Sequence, residues 1–133
     1  MAVPQASLRL TRRYAARPAE VWAALTDPER LGRWLGPVRS GSFDVGEELE
    51  LQVGGRTVPA TVRVLDSERR LELDWRPPDE DASLVRIELS PHGDGTMLVL
   101  DHSRLEEPAC MRWGALWTRS AGRLDELLEV VRP

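Results

Sequence analysis

Two histidines and one cysteine are the only side chains in this 133-residue sequence that suit proton transfer or nucleophilic attack near neutral pH. His102 closes the run Leu98-Val99-Leu100-Asp101-His102, where strict alternation sets Leu98, Leu100 and His102 on one face and Met97, Val99 and Asp101 on the other. An imidazole on an apolar face, with an ordinary pKa of about 6.5, is the sequence's best general acid or base. It lacks an orienting carboxylate, because Asp101 faces the opposite way on a regular strand and Glu106 falls beyond its end. A core histidine with its hydrogen bonds satisfied is the simpler reading, which leaves His102 a weak catalytic candidate. Cys110 stands where the last helix should begin, a position that could lower a thiol pKa, although a small buried residue near the cavity mouth is the simpler reading. Glu47 and Arg12 sit on otherwise apolar parities, where they could orient a polar group of a ligand or simply pair at strand ends. Two imidazoles and one thiol make a poor zinc set, so neither metal nor cofactor is expected.

The stronger signal is aromatic. The chain holds five Trp against one Phe and one Tyr. The periodicity directs Trp34, Trp75, Trp113 and Trp117 into the space between sheet and helix. Large rings around a concave apolar space suit a flat or greasy molecule, with a few polar groups to orient it. The expected lining is Trp34, Phe43, Trp75, Leu100, His102, Trp113 and Trp117, with Met111 at the entrance. Each ring taken singly reads more simply as core filling, whereas the set favours a lined cavity. The glycine-rich stretches lack the strand-to-helix setting that grips phosphate, and there is no nucleophile elbow, zinc-helix signature or calcium loop.

These residues need elements to hold them. Leu8 to Tyr14 alternate as a first strand. Arg17-Pro18-Ala19-Glu20 and Asp27-Pro28-Glu29 each open a short helix, the second capped by Asp27 and stopped at Gly36-Pro37. From Phe43 to Val53 the period is two, with Glu47 marking a bulge; Gly54-Gly55 then turns the chain into Val58 to Val64. Pro59 cannot donate to a ladder and favours an edge or a bulge at that point; an edge strand of Thr57 to Arg63 could pair with a second copy, while Pro59 and Arg63 also look like edge protection. Strands at Leu71 to Trp75, Val85 to Leu89 and Met97 to His102 follow, with Asp79 to Asp81 read as a solvated acidic loop. From Ala109 to Arg132, the residues Trp113, Leu116, Trp117, Leu124, Leu127, Leu128 and Val131 fall at helical intervals. The fold class is therefore α+β, with a six-stranded antiparallel sheet curled around one long C-terminal helix.

Composition limits the partners. A net charge of -4 supplies no broad positive field for a phosphate backbone, so nucleic acid is a poor candidate. All 18 cations are Arg, which looks like coding bias and carries no functional meaning. Met1 to Leu10 lacks a signal-peptide pattern and no window approaches the about 18 apolar residues of a membrane span, so the expected address is the cytoplasm, without membrane insertion.

The stretch Arg17-Pro18-Ala19-Glu20-Val21-Trp22-Ala23-Ala24-Leu25-Thr26-Asp27-Pro28-Glu29 resembles the SRPBCC or START-like superfamily. So do Trp34, Gly54-Gly55, the Gly95 to His102 strand and the terminal helix at Trp113-Gly114. Within that superfamily the likeness is to the branch named for the activator of the ninety-kilodalton heat-shock chaperone's ATPase. It covers residues 7 to 131 and implies one helix-grip domain, whose bent sheet wraps the last helix and leaves a cavity closed at one end by the short helices. The resemblance further implies binding of lipids, sterols, polyketides or hormones, with cyclases among the members. The expectation is a binding protein for a small apolar or aromatic ligand, not an enzyme. The alternatives are a polyketide cyclase or hydrolase using His102, and an interaction module in the chaperone-activator sense.

Overall fold

The structure, a computed structural model, describes residues 5 to 130. The expected extension of the last helix through Val131 and Arg132 lies outside the described residues. Strand β1 (Gln5–Tyr14) leads into helices α1 (Pro18–Thr26) and α2 (Pro28–Trp34). Five further strands were expected and six are found: β2 (Val38–Ser40), β3 (Glu48–Val53), β4 (Arg56–Asp66), β5 (Arg70–Trp75), β6 (Ser83–His92) and β7 (Gly95–Glu106). Helix α3 (Glu107–Val130) completes the chain.

All seven strands form one antiparallel sheet in the order β1-β7-β6-β5-β4-β3-β2. Apart from β1, which crosses to the far edge beside β7, the strands follow a meander, the arrangement that short turns dictate. The turn between β3 and β4 is Gly54-Gly55, both at positive φ (59° and 78°), as a two-residue hairpin requires. Each short helix has proline in its first turn, and Asp27 Oδ1 accepts a hydrogen bond from the Glu29 N–H at 3.3 Å, capping α2 as the sequence indicates. The core lies between one face of the sheet and α3, whose Ala109, Trp113, Trp117, Ala121, Leu124 and Leu128 form a continuous buried stripe.

Three expectations need correction. Phe43 and Val45 do not belong to a strand, because the chain between Gly41 and Glu47 loops outward to join β2 to β3; Phe43 is half-buried and both Val45 and Glu47 are exposed. The extra strand, β2, is only three residues long and precedes that loop, too short for a periodicity signal. The strand carrying Pro59 is interior, between β3 and β5, so the proposed route to a homodimer through Thr57 to Arg63 is closed. Proline is tolerated there because Pro59 O accepts from the Arg76 N–H at 2.9 Å. Pro59's missing N–H therefore also faces the position just past Trp75, the last residue of β5.

Candidate functional site

Inward positions of β5, β6, β7 and α3 bring together Trp75, Ser83, His102, Trp113 and Trp117. All five are buried. Trp75 is at the centre, its ring 5.4 Å from Trp113, 5.5 Å from Trp117 and 6.0 Å from His102 between centroids, mostly in edge-on or tilted contact. Four of the sequence-derived candidates, Trp75, His102, Trp113 and Trp117, thus form one box.

Hydrogen bonds fix the box's protonation. Trp117 Nε1–H can only donate, and it lies 3.0 Å from His102 Nδ1, so Nδ1 must be the bare, accepting nitrogen. The proton then resides on Nε2, which donates to Ser83 Oγ at 2.8 Å, and the Ser83 hydroxyl passes the chain on to the Trp75 carbonyl at 3.4 Å. Burial pushes His102 down to about 4, opposed by the charge of Glu80. A second imidazole proton would also face the Trp117 N–H head-on. The neutral ring is consequently locked, and its direction is opposite to that of a serine hydrolase, where Nε2 must accept the hydroxyl proton and a carboxylate must hold Nδ1–H. Ser83 and His102 are placed as a structural pair.

Above the box runs a charged latch that the sequence-based reading missed. Glu80, expected in a solvated loop, has a side chain only 11% exposed. Its Oε1 accepts from Trp113 Nε1 at 2.9 Å, and its Oε2 accepts from Arg56 Nη1 at 2.7 Å and Arg112 Nη2 at 3.2 Å. Burial pushes the Glu80 carboxyl up, but the hydrogen bonds from Trp113, Arg56 and Arg112 together outweigh it and hold the pKa below the usual value. Arg56 also pairs with Asp79, and its guanidinium lies 5.6 Å from the Trp113 ring centroid. Surface clefts flank the latch. One, of about 500 Å³, is bounded by Glu80, Asp81, Arg104, Leu105, Ala109 and Arg112; the other, of about 160 Å³, by Gly54, Arg56, Arg112, Trp113, Leu116 and Arg119.

The remaining candidates separate. Trp34 donates from Nε1 to the Ala24 carbonyl at 2.8 Å, and with Leu100, Tyr14, Trp117 and Leu124 it surrounds a void of only about 10 Å³. The interior is therefore filled here, and the rings pack against one another instead of lining the cavity expected between sheet and helix. Met111 is 80% exposed because it lies off the buried stripe of α3, and Phe43 sits in the β2–β3 loop, so neither joins the box. Cys110 is half-buried beside Met111. Ser83 was within reach of the sequence, since it shares the parity of Val85 and Ile87; nothing local distinguished Glu80 from Asp79 and Asp81.

Among the described residues, two buried side-chain nitrogens lack a hydrogen-bond partner, Trp75 Nε1 and Arg86 Nε. The second lies 3.6 Å from the Glu72 carboxylate. The first is an indole N–H with no acceptor, inside a box whose other polar atoms are all engaged.

A sheet laid against one long C-terminal helix, with two short helices after the first strand and an aromatic box between the layers, defines a helix-grip α+β protein. The chain belongs to the family described as activator of Hsp90 ATPase homolog 1-like protein, whose model matches residues 15–129. No curated protein matches the sequence. CalU16 from Micromonospora echinospora is 28% identical with a TM-score of 0.83, covering 96% of this chain and 87% of that one. DynU16, a protein of the dynemicin biosynthetic locus, is 25% identical with a TM-score of 0.86, covering 98% of this chain and 49% of its own. Protein MLL2253 from Mesorhizobium loti, at 21% identity and a TM-score of 0.89, covers 96% of this chain and all of its own, and shares the fold. No described helix is long and apolar enough to cross a membrane.

Proposed function

We propose that this protein binds a small, flat organic molecule at the end of the grip where Trp113 and the Glu80 latch lie between the aromatic box and the two clefts, and that it binds without reacting. The observation that carries this reading is the unpaired Trp75 N–H. A fully buried donor without an acceptor costs about 1–3 kcal/mol, which a ligand bearing a carbonyl or ether oxygen would recover. The larger cleft, bounded by Glu80 and Arg112, supports it by size, since its volume of about 500 Å³ falls within the roughly 300–1,000 Å³ of ligand pockets, while the cleft beside Trp113, at about 160 Å³, is smaller. The likeness to DynU16, a protein of the dynemicin biosynthetic locus, agrees with an organic ligand. Because the box is filled, binding requires Trp113 to turn outward with the Glu80 side chain that holds it. The locked His102 tautomer argues against a cyclase or hydrolase role.

Native mass spectrometry and tryptophan-fluorescence titration against polycyclic aromatic, polyketide and fatty-acid panels test the proposal. At least one class should give a one-to-one adduct and a change in emission. Trp75→Phe should fold, keep most of its stability, and weaken binding of acceptor-bearing ligands by about tenfold, the equivalent of one hydrogen bond. No adduct and no emission change with any panel would overturn the binding role and favour a docking module.

A further inference from the structure

The latch is built from two separable parts. Its three donors are framework groups: Arg56 on β4, and Arg112 and Trp113 on adjacent positions of α3. Its acceptor, Glu80, is carried by the loop between β5 and β6, which contributes no strand or helix of its own. Two guanidinium groups and an indole N–H converging on one carboxylate constitute a carboxylate receptor, preorganised on rigid elements and occupied by a side chain on a loop. Trp113 joins this receptor to the box: its Nε1 edge faces the carboxylate while its ring meets Trp75 and His102. Arg119 adds a third cation to the same cleft.

Resting on the binding role above, we infer that Glu80 is a tethered stand-in for the ligand's own acid group. The ligand class is then an aromatic or polycyclic carboxylic acid. Its carboxylate displaces Glu80 from Arg56 and Arg112, and its ring body enters beside Trp113. Displacement frees the Glu80 side chain alone: the incoming carboxylate takes its place on Arg56 and Arg112, and the loop stays anchored through the Arg56–Asp79 pair. The same exchange excludes neutral ring compounds, which cannot replace Glu80 on two guanidinium groups without leaving them unpaired.

The competition has a measurable size. A carboxylate on a short loop acts at an effective concentration on the order of millimolar, so removing its charge should tighten binding of an external acid by about tenfold or more. The probes are naphthoate and its neutral counterpart naphthylmethanol, titrated calorimetrically and by tryptophan emission into the wild type, Glu80→Gln and Asp94→Asn. Asp94→Asn removes one negative charge from the exposed turn at the opposite end of β6, away from the latch and both clefts. The expected result is that naphthoate binds about tenfold tighter to Glu80→Gln, that naphthylmethanol changes less than about twofold, and that Asp94→Asn behaves as the wild type. In the wild type, naphthoate should also shift the Trp113 indole N–H resonance, because the acceptor has changed. If Glu80→Gln leaves naphthoate affinity unchanged, or both probes bind alike to every form, the stand-in role is overturned while the binding role survives. If neither probe binds to any form and the wider panels also fail, both fall together.

Discussion

Replacing His102 by Gln should flatten the acid limb of the stability curve. In the folded protein the imidazole titrates at about 4, while in the unfolded chain it returns to the ordinary value of 6.5. Its folded pKa is depressed, so the unfolded state binds a proton first as pH falls. Stability from this group is fully present above about pH 6.5 and is lost progressively as pH drops through 6.5 toward 4. The interval corresponds to about 3 kcal/mol, since each pKa unit is worth about 1.4 kcal/mol. That is a large fraction of the roughly 5–15 kcal/mol that holds a domain together. Glutamine can still accept from Trp117 and donate to Ser83, so the variant keeps the hydrogen-bonded chain while removing the titration. Urea unfolding of both proteins at intervals from pH 8 to pH 4 gives the comparison. Carboxylates titrate alike in the two and cancel in the difference, Glu80 included apart from its small coupling to the imidazole. The wild type should lose about 3 kcal/mol more than the variant across the window. Parallel curves, or a His102 ring resonance titrating near 6.5, would refute the locked neutral tautomer and reopen proton transfer at this site.

Two further substitutions test how the closed end near the short helices is held. Gly95→Ala should cost about 2 kcal/mol or more, because an added Cβ would stand 2.1 Å from the Tyr14 carbonyl oxygen and backbone must move to admit it; chemical denaturation measures the loss. Thr96→Val should cost about 1–2 kcal/mol in the same assay, since the buried Thr96 Oγ1 donates to the Ala16 carbonyl at 2.7 Å and valine keeps the shape without the bond.

What is legible in the sequence is what periodicity encodes. The inward parity of Leu71, Leu73 and Trp75, of Leu98, Leu100 and His102, and of the α3 stripe is a local property, and the structure places those residues as the alternation indicates. The Asp27 cap and the Gly54-Gly55 turn are legible for the same reason: their chemistry acts within a few residues. Glu80 is not, because its partners lie 24, 32 and 33 positions away, and an acidic run reads as solvated until the chain closes on it. Phe43 misleads because the parity it shares with Leu49 and Leu51 continues through a loop where nothing enforces it. Pro59 reads as an edge signal, when a strand's end one position away from it suffices. Whether rings line a space or fill it depends on side-chain packing at the scale of about 10 Å³, which no pattern of residue types records.

The charged latch meets the aromatic box at this end of the sheet because β7 breaks its alternation there. Continued strictly past His102, the pattern would turn Arg104 inward and Leu105 outward. Instead the pairing with β1 steps from Leu8 opposite His102 to Ala6 opposite Leu105, so that Ser103 and Arg104 together face Ser7. Arg104 takes up the extra residue at φ 62°, a left-handed conformation that costs a non-glycine residue about 1–2 kcal/mol. The bulge keeps Leu105 in the core and sends Arg104 to the wall of the larger cleft. Within two residues it also hands the chain to α3, where Arg112 and Trp113 stand on consecutive positions, one toward the cleft and one toward Trp75. Burial of Leu105, worth roughly 1.5–3 kcal/mol, offsets that strain, so the bulge that fills the core also turns a guanidinium toward the cleft. Under the acid-binding role proposed above, the same bulge sets Arg104 on the wall of the larger cleft, beside Glu80 and Arg112 of the latch.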